Sequence, residues 1–179
     1  MRNTLRFAAA LSSLLAFAGP SAGADDAAMM AAANNFYAVY ATFHPSDGIP
    51  DAKARAKYAP VISPALEKLL SEADAAEQRF ATENKDSPPL IEGDLFSSLS
   101  EGATSYTVRS CNVASASCAV DLVYDDKTAK PVHWTDTLHL IATPQGWRVD
   151  DIGYGGNWNF ANKGRLTETL RQVISGADG

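Results

Sequence analysis

The chain predicts an α+β fold: helices packed on one face of a curved four-stranded antiparallel sheet, with a last helix closing the chain. Three observations carry this. The first half holds two runs of apolar residues at helical spacing. From residue 104 the pattern changes to period two, in four stretches joined by short connections. After residue 162 the helical period returns.

Asp25 to about Phe43 is the first helix. Aspartates open it, which suits the helix dipole, and Met29, Ala33, Phe36, Tyr40 and Phe43 fall on one face. "HPSDGIP" breaks the chain with two prolines and a glycine. The second helix starts with Ser63 as N-cap and Pro64 in the first turn. Leu66, Leu69, Leu70, Ala73 and Phe80 form its inner stripe, with Glu77 as the exception, and "NKDSPP" ends it. Strands follow at Thr104–Asn112, Ser117–Tyr124, Val132–Thr143 and Trp147–Tyr154, and their short links make neighbouring strands antiparallel hairpins. Asn162 to Ser175 closes the chain as a helix with Leu166, Leu170, Val173 and Ile174 inward. No internal repeat is present.

The start of the chain has the form of an export signal. Arg2 and Arg6 precede a short apolar run, Phe7 to Ala18, and Ala22-Gly23-Ala24 is a small-x-small cleavage site. The run is too short to span a bilayer as a helix. Cleavage after Ala24 is expected, releasing a bacterial protein to the periplasm or medium. No cysteine follows the site, so no lipid anchor is indicated. Residues 25–179 make one domain, long enough for a real core. The signal carries two of the 15 Lys and Arg and no acid, so its removal takes the formal net charge from −6 to −8. An acidic chain without a basic stripe suits neither nucleic acid nor an anionic membrane surface.

Cys111 and Cys118 are the two cysteines. An even count in an exported chain predicts one disulfide, and the spacing is not the Cys-x-x-Cys of redox sites. Closing so short a loop contributes about 2.5 kcal/mol in the chain-entropy account. Tyr106 and Val108 should face the same way as Val120 and Leu122. In that register the two cysteines fall on opposite faces, so a bulge or irregular tip must intervene if they bond.

Asp150 and Asp151 are adjacent in a strand and so point to opposite faces. The last hairpin turns at "TPQG" (Thr143–Gly146), and closing it with two or four loop residues pairs Ala142 with Trp147, Leu140 with Val149, Leu138 with Asp151, and Asp136 with Gly153. Trp134 continues that face, which should pack under the helices. The other face pairs Ile141 with Arg148, His139 with Asp150, Thr137 with Ile152, and Thr135 with Tyr154. Asp136 and Asp151 then lie diagonally on the inner face, roughly 7–8 Å apart. A carboxylate in an apolar hollow has a raised pKa and can act as general acid or base. The competing reading opens these acids to water or pairs them with an arginine such as Arg109.

The remaining motifs carry less. His139 beside Asp150 has no Ser or Cys nucleophile next to it. His133 and His139 are about 20 Å apart along one strand and cannot share an ion, and His44 stands alone in a loop. No metal site and no cofactor are called for. "GYGGNWNF" lacks the phosphate-loop patterns, and Gly155-Gly156 are expected to make a turn that lets Tyr154 and Trp158 fold over the sheet end. Exposed, these aromatics would suit a ligand or a protein partner; buried, they close the core.

"LIEGDLFSSLSEGATSYTV", "HWTDTLHLI" and "GWRVDDIGYGGNWNF…KGRLTETL" resemble a family of small exported bacterial proteins, domain of unknown function 3828. The resemblance runs from the first helix through the last. It implies a relation to the cone-shaped fold of nuclear transport factor 2 and the cystatin-like proteins, in which a bent sheet wraps around helices and often leaves a pocket. It supplies no established activity. It draws attention to Asp94, to Trp134 and Asp136, and to Trp147, Asp150 and Asp151.

Three functions follow as expectations. The first is a non-enzymatic module that binds a small molecule or a protein, with Trp134, Asp136, Asp151, Tyr154, Trp158 and Asp94 as the candidate contacts. The second is a hydrolase, isomerase or lyase using Asp136 and Asp151 as acid–base groups. The third is an exported immunity or inhibitor protein whose acidic surface meets a basic target. An inner cavity walled by Trp134 and holding both acids would favour the first two. A filled interior with an exposed aromatic and acidic patch would favour the third.

Overall fold

The computed structural model describes residues 22–42 and 48–176. Residues 1–21, most of the expected export signal, lie outside them, as do Phe43 and His44. Four helices and one sheet make up the described chain: α1 (Ala22–Thr42), α2 (Ala52–Tyr58), α3 (Pro64–Glu83), β1 (Ser105–Asn112), β2 (Ser117–Tyr124), β3 (Val132–Thr143), β4 (Gly146–Gly153) and α4 (Leu166–Gly176). The strands pair antiparallel in chain order, β1-β2-β3-β4. The fold is the expected α+β class, with a C-terminal helix. The sheet is curled and open: α1 lies in its hollow and touches both edge strands, β1 and β4.

Local chemistry sets the helix ends. Ser63 Oγ accepts the Leu66 N–H at 3.0 Å, and Pro64 fills the first turn of α3. Asp51 caps α2 by accepting the Ala54 N–H at 2.8 Å. That seven-residue helix is not signalled in the sequence, because it is too short to show a period. The inner stripe of α3 is Leu66, Leu70, Ala73 and Ala76. Glu77, the polar exception, turns aside and accepts the Leu90 N–H with both carboxylate oxygens at 3.1 Å.

The core is filled by Met29, Phe36, Tyr37 and Tyr40 from α1, the α3 stripe, Leu166 and Leu170 from α4, and the inward strand positions. Those positions are Cys118, Val120 and Leu122 on β2, Trp134, Asp136, Leu138 and Leu140 on β3, and Val149 and Ile152 on β4.

Two bulges decide which residues face inward. In β1 the register shifts between Val108 and Ser110, leaving Arg109 extra. The shift brings Cys111 directly opposite Cys118, and the disulfide forms. In β4 the register shifts beside His139 and Leu140, leaving Asp150 extra. The turn end keeps the expected pairs, Ala142 with Trp147, Ile141 with Arg148 and Leu140 with Val149. Beyond the bulge every expected pair moves by one: Leu138 faces Ile152, His139 faces Asp151 and Thr137 faces Gly153. The pairings Leu138–Asp151, Asp136–Gly153, His139–Asp150, Thr137–Ile152 and Thr135–Tyr154 are thereby corrected. The physical reason is burial: the extra residue lets Val149 and Ile152, both fully buried, share the inner face.

The outer edge of β4 is closed from both sides. Residues 61–63 run beside Val149, with Val149 N–H bonded to Val61 O at 3.0 Å and Ser63 N–H to Val149 O at 2.8 Å. Further on, Gly153 pairs with Arg165, and Tyr154 N–H reaches Gly164 O at 3.1 Å. This second pairing uses residues expected to be helical, so α4 begins at Leu166 and not at Asn162.

Candidate functional site

Asp136 and Asp151 do not share a face. Asp136 alternates with Trp134 and Leu138 on the inner face, while Asp151 stands opposite His139 on the outer one. The acid–base pair expected from the unbroken register is therefore not formed.

Each acid has a full set of partners. Asp136 is completely buried and accepts four donors: Ser98 N–H at 2.9 Å, Trp134 Nε1–H at 3.0 Å, Gly155 N–H at 2.8 Å and the Ser98 hydroxyl. The Ser98 oxygen in turn accepts Gly156 N–H at 3.0 Å. One carboxylate thus ties the 90–103 loop and the glycine segment to β3. Such saturation makes it a structural anchor, since no lone pair remains directed at free space.

Asp151 is 6% exposed and serves the start of α4. It accepts Thr167 N–H at 3.0 Å, the Thr167 hydroxyl at 3.1 Å and Arg165 Nη1 at 3.1 Å. Arg165, just before the helix, has no capping oxygen, so β4 supplies one from across the chain. The arginine partner is Arg165; Arg109 pairs with Asp121 at 2.8 Å. Asp150, displaced by the bulge, accepts the Ser63 hydroxyl. His139 is held below its ordinary pKa by partial burial and by Arg165.

Asp94 is the third buried acid, 1% exposed, in the loop before β1. It accepts the Tyr40 hydroxyl at 2.5 Å and Phe96 N–H at 2.7 Å. Burial raises its pKa to about 7, opposed by these hydrogen bonds and assisted by the charge of Asp136. Tyr40 also accepts Ala103 N–H at 2.7 Å, and burial followed by the Asp94 charge raises its pKa. Asn162 spans the same loop through Asp94 O at 3.1 Å and Ser97 O at 2.7 Å.

The glycine pair works by close approach, not by the expected turn. A Cβ on Gly155 would sit 2.0 Å from Thr135 O, and one on Gly156 would sit 2.8 Å from both Ser98 Cβ and the Trp158 ring. Neither has a positive φ. The packing they permit brings Trp158 edge-on to Trp134, ring centres 5.8 Å apart. Tyr154 is half-buried and donates its hydroxyl to Leu95 O at 2.6 Å.

Above this scaffold lies a surface cleft of about 480 Å³ lined by Leu99, Ser100, Glu101, Val132, Trp158 and Phe160. Phe160 is 87% exposed and Val132 37%. Of the residues singled out from sequence, Trp158 reaches this cleft, and Asp94, Trp134 and Asp136 support it from beneath. Leu99, Glu101 and Phe160 were not foreseen. Phe160 carried a signal, as a large apolar residue beyond the last strand and outside any helical stripe. Among the described residues no three His, Cys, Asp or Glu side chains assemble into a metal-binding group, and no helix is long and apolar enough to cross a membrane. No family model, curated protein or solved structure matches this chain.

Proposed function

We propose that this is an exported bacterial protein-binding module, and that the cleft of Leu99, Val132, Trp158 and Phe160 is its contact surface. The observation that carries the reading is Phe160, a phenyl ring 87% exposed beside a half-buried tryptophan. Such a ring gains by being covered, at roughly 25 cal/mol for each Å² removed from water. The hydrogen-bond network of Asp136 and Ser98 holds the cleft wall in a fixed shape, which lowers the ordering cost of association. The hydrogen bonds that commit Asp136 and Asp151 favour a binding surface over acid–base chemistry. Export is supported by the signal-like start and by the Cys111–Cys118 disulfide. The resemblance to domain of unknown function 3828 points the same way, and the curled sheet around α1 suits a distant relation to the nuclear transport factor 2 and cystatin-like cones.

The test is affinity capture from periplasmic extract by the wild-type protein, by Phe160→Asp and by Arg79→Asp on the outer side of α3. A stoichiometric partner held by wild type and Arg79→Asp, and lost with Phe160→Asp, supports the reading. A partner retained by Phe160→Asp, or no partner at all, removes the cleft from it.

A further inference from the structure

We infer that the cleft recognises an arginine side chain of its protein partner, with the aliphatic stem on Leu99 and Val132 and the guanidinium between Glu101 and the two aromatic rings. This rests on the protein-binding reading and specifies what that surface takes.

The argument begins with Glu101. It lines an apolar cleft, and among the described residues it has no cationic partner. Its described hydrogen bond comes from the Ser100 hydroxyl at 2.9 Å. An unpaired carboxylate at the edge of apolar surface is a ready acceptor for an incoming cation.

The aromatic groups add a second attraction. Trp158 and Phe160 line the same cleft, and a cation over either ring face is drawn by the ring quadrupole. Trp158 is fixed by its edge-on contact with Trp134, which itself is anchored to Asp136. One wall of the cleft is thus preorganised, while Phe160 forms an open lip.

Arginine fits this set better than lysine. Its planar guanidinium stacks on a ring and forks onto a carboxylate at once, and it sheds water more readily than an ammonium group. Leu99 and Val132 offer apolar surface for the three methylenes of its stem. A protein supplies the arginine, because only a broad surface can also cover the exposed Phe160 ring. The formal net charge, −6 for the full sequence and −8 without the signal-like segment, favours a basic partner and speeds the encounter.

The experiment titrates three short peptides into the ¹⁵N-labelled protein, following the indole N–H signals assigned with Trp158→Phe. One peptide has the sequence Gly-Leu-Arg-Leu-Gly with blocked ends. The second carries citrulline, the neutral isostere, in place of arginine, and the third carries glutamate. The arginine peptide should shift the Trp158 signal saturably and bind about 10-fold more tightly than the citrulline peptide. Glu101→Gln should abolish that preference while leaving the spectrum of the free protein unchanged outside the cleft. Equal binding of arginine and citrulline peptides overturns the arginine assignment and leaves the protein-binding surface standing. No saturable shift with any peptide also overturns it; the Phe160→Asp capture experiment then reports on the surface separately.

Discussion

Asp151 of β4 caps a helix to which it does not belong, accepting the Thr167 N–H at 3.0 Å from 16 residues away. The contact fixes the start of α4 against the edge of the sheet. Asp151→Ala should leave the Thr167 amide and hydroxyl unsatisfied and Arg165 unpaired. A loss of about 2–4 kcal/mol is expected, measured by urea denaturation. Hydrogen exchange should locate the loosening in α4 first. Asp151→Asn, which keeps one acceptor, should lose about half as much.

Asp136 gives a second, larger effect. Its removal strands four donors in the interior, so Asp136→Ala should cost about 3–5 kcal/mol or prevent folding. Ser98→Ala removes one of those donors and the acceptor for Gly156, and should cost about 1–3 kcal/mol. Thermal unfolding followed by near-ultraviolet circular dichroism, which reports on the Trp134–Trp158 pair, gives both values.

Asp94 predicts a pH dependence of opposite sign to that of an ordinary paired carboxylate. Its folded pKa, about 7, lies above the unfolded value of 3.8. Below the unfolded value both states hold the proton, and its full contribution to stability is present. Between the two values only the folded state holds it, so stability falls as pH rises and levels off above about 7. The span is of the order of 4 kcal/mol. Asp94→Asn should flatten this slope. Denaturation midpoints at pH 5 and pH 8 for the two proteins test it; parallel slopes would show that Asp94 is not the source.

The disulfide predicts a modest local effect. Closing the loop between Cys111 and Cys118, separated by 7 in sequence, should contribute about 2.5 kcal/mol. A Cys111→Ser, Cys118→Ser double variant should fold with a correspondingly lower urea midpoint, and wild type in reducing agent should match it.

The element order was legible because period and turn chemistry speak locally. Ser63-Pro64 announced α3, and the alternation from residue 105 announced the four strands. The bulge in β4 was harder to see, and it decided the fate of the candidate site. Strict alternation from Val149 puts Asp151 on the apolar face and Ile152 outside. That conflict was itself the signal: one inserted residue returns Ile152 to the core. The bulge in β1 was readable in this way, because two cysteines demanded it. The cleft was not legible, since its walls come from the 90–103 loop, β3 and the segment after β4. Only the folded sheet brings them together.

The closed edge of β4 sets an order of assembly. Its neighbours on that side come from residues 61–63, upstream, and from residues 164–165, downstream, with Ser63 and Asp150 separated by 87 positions. Contacts so distant close late and slowly. A chain emerging from its amino end cannot complete this edge until Arg165 has appeared. The edge therefore closes only when nearly all of the described chain is present, and the segment leading into the last helix is the piece that completes it.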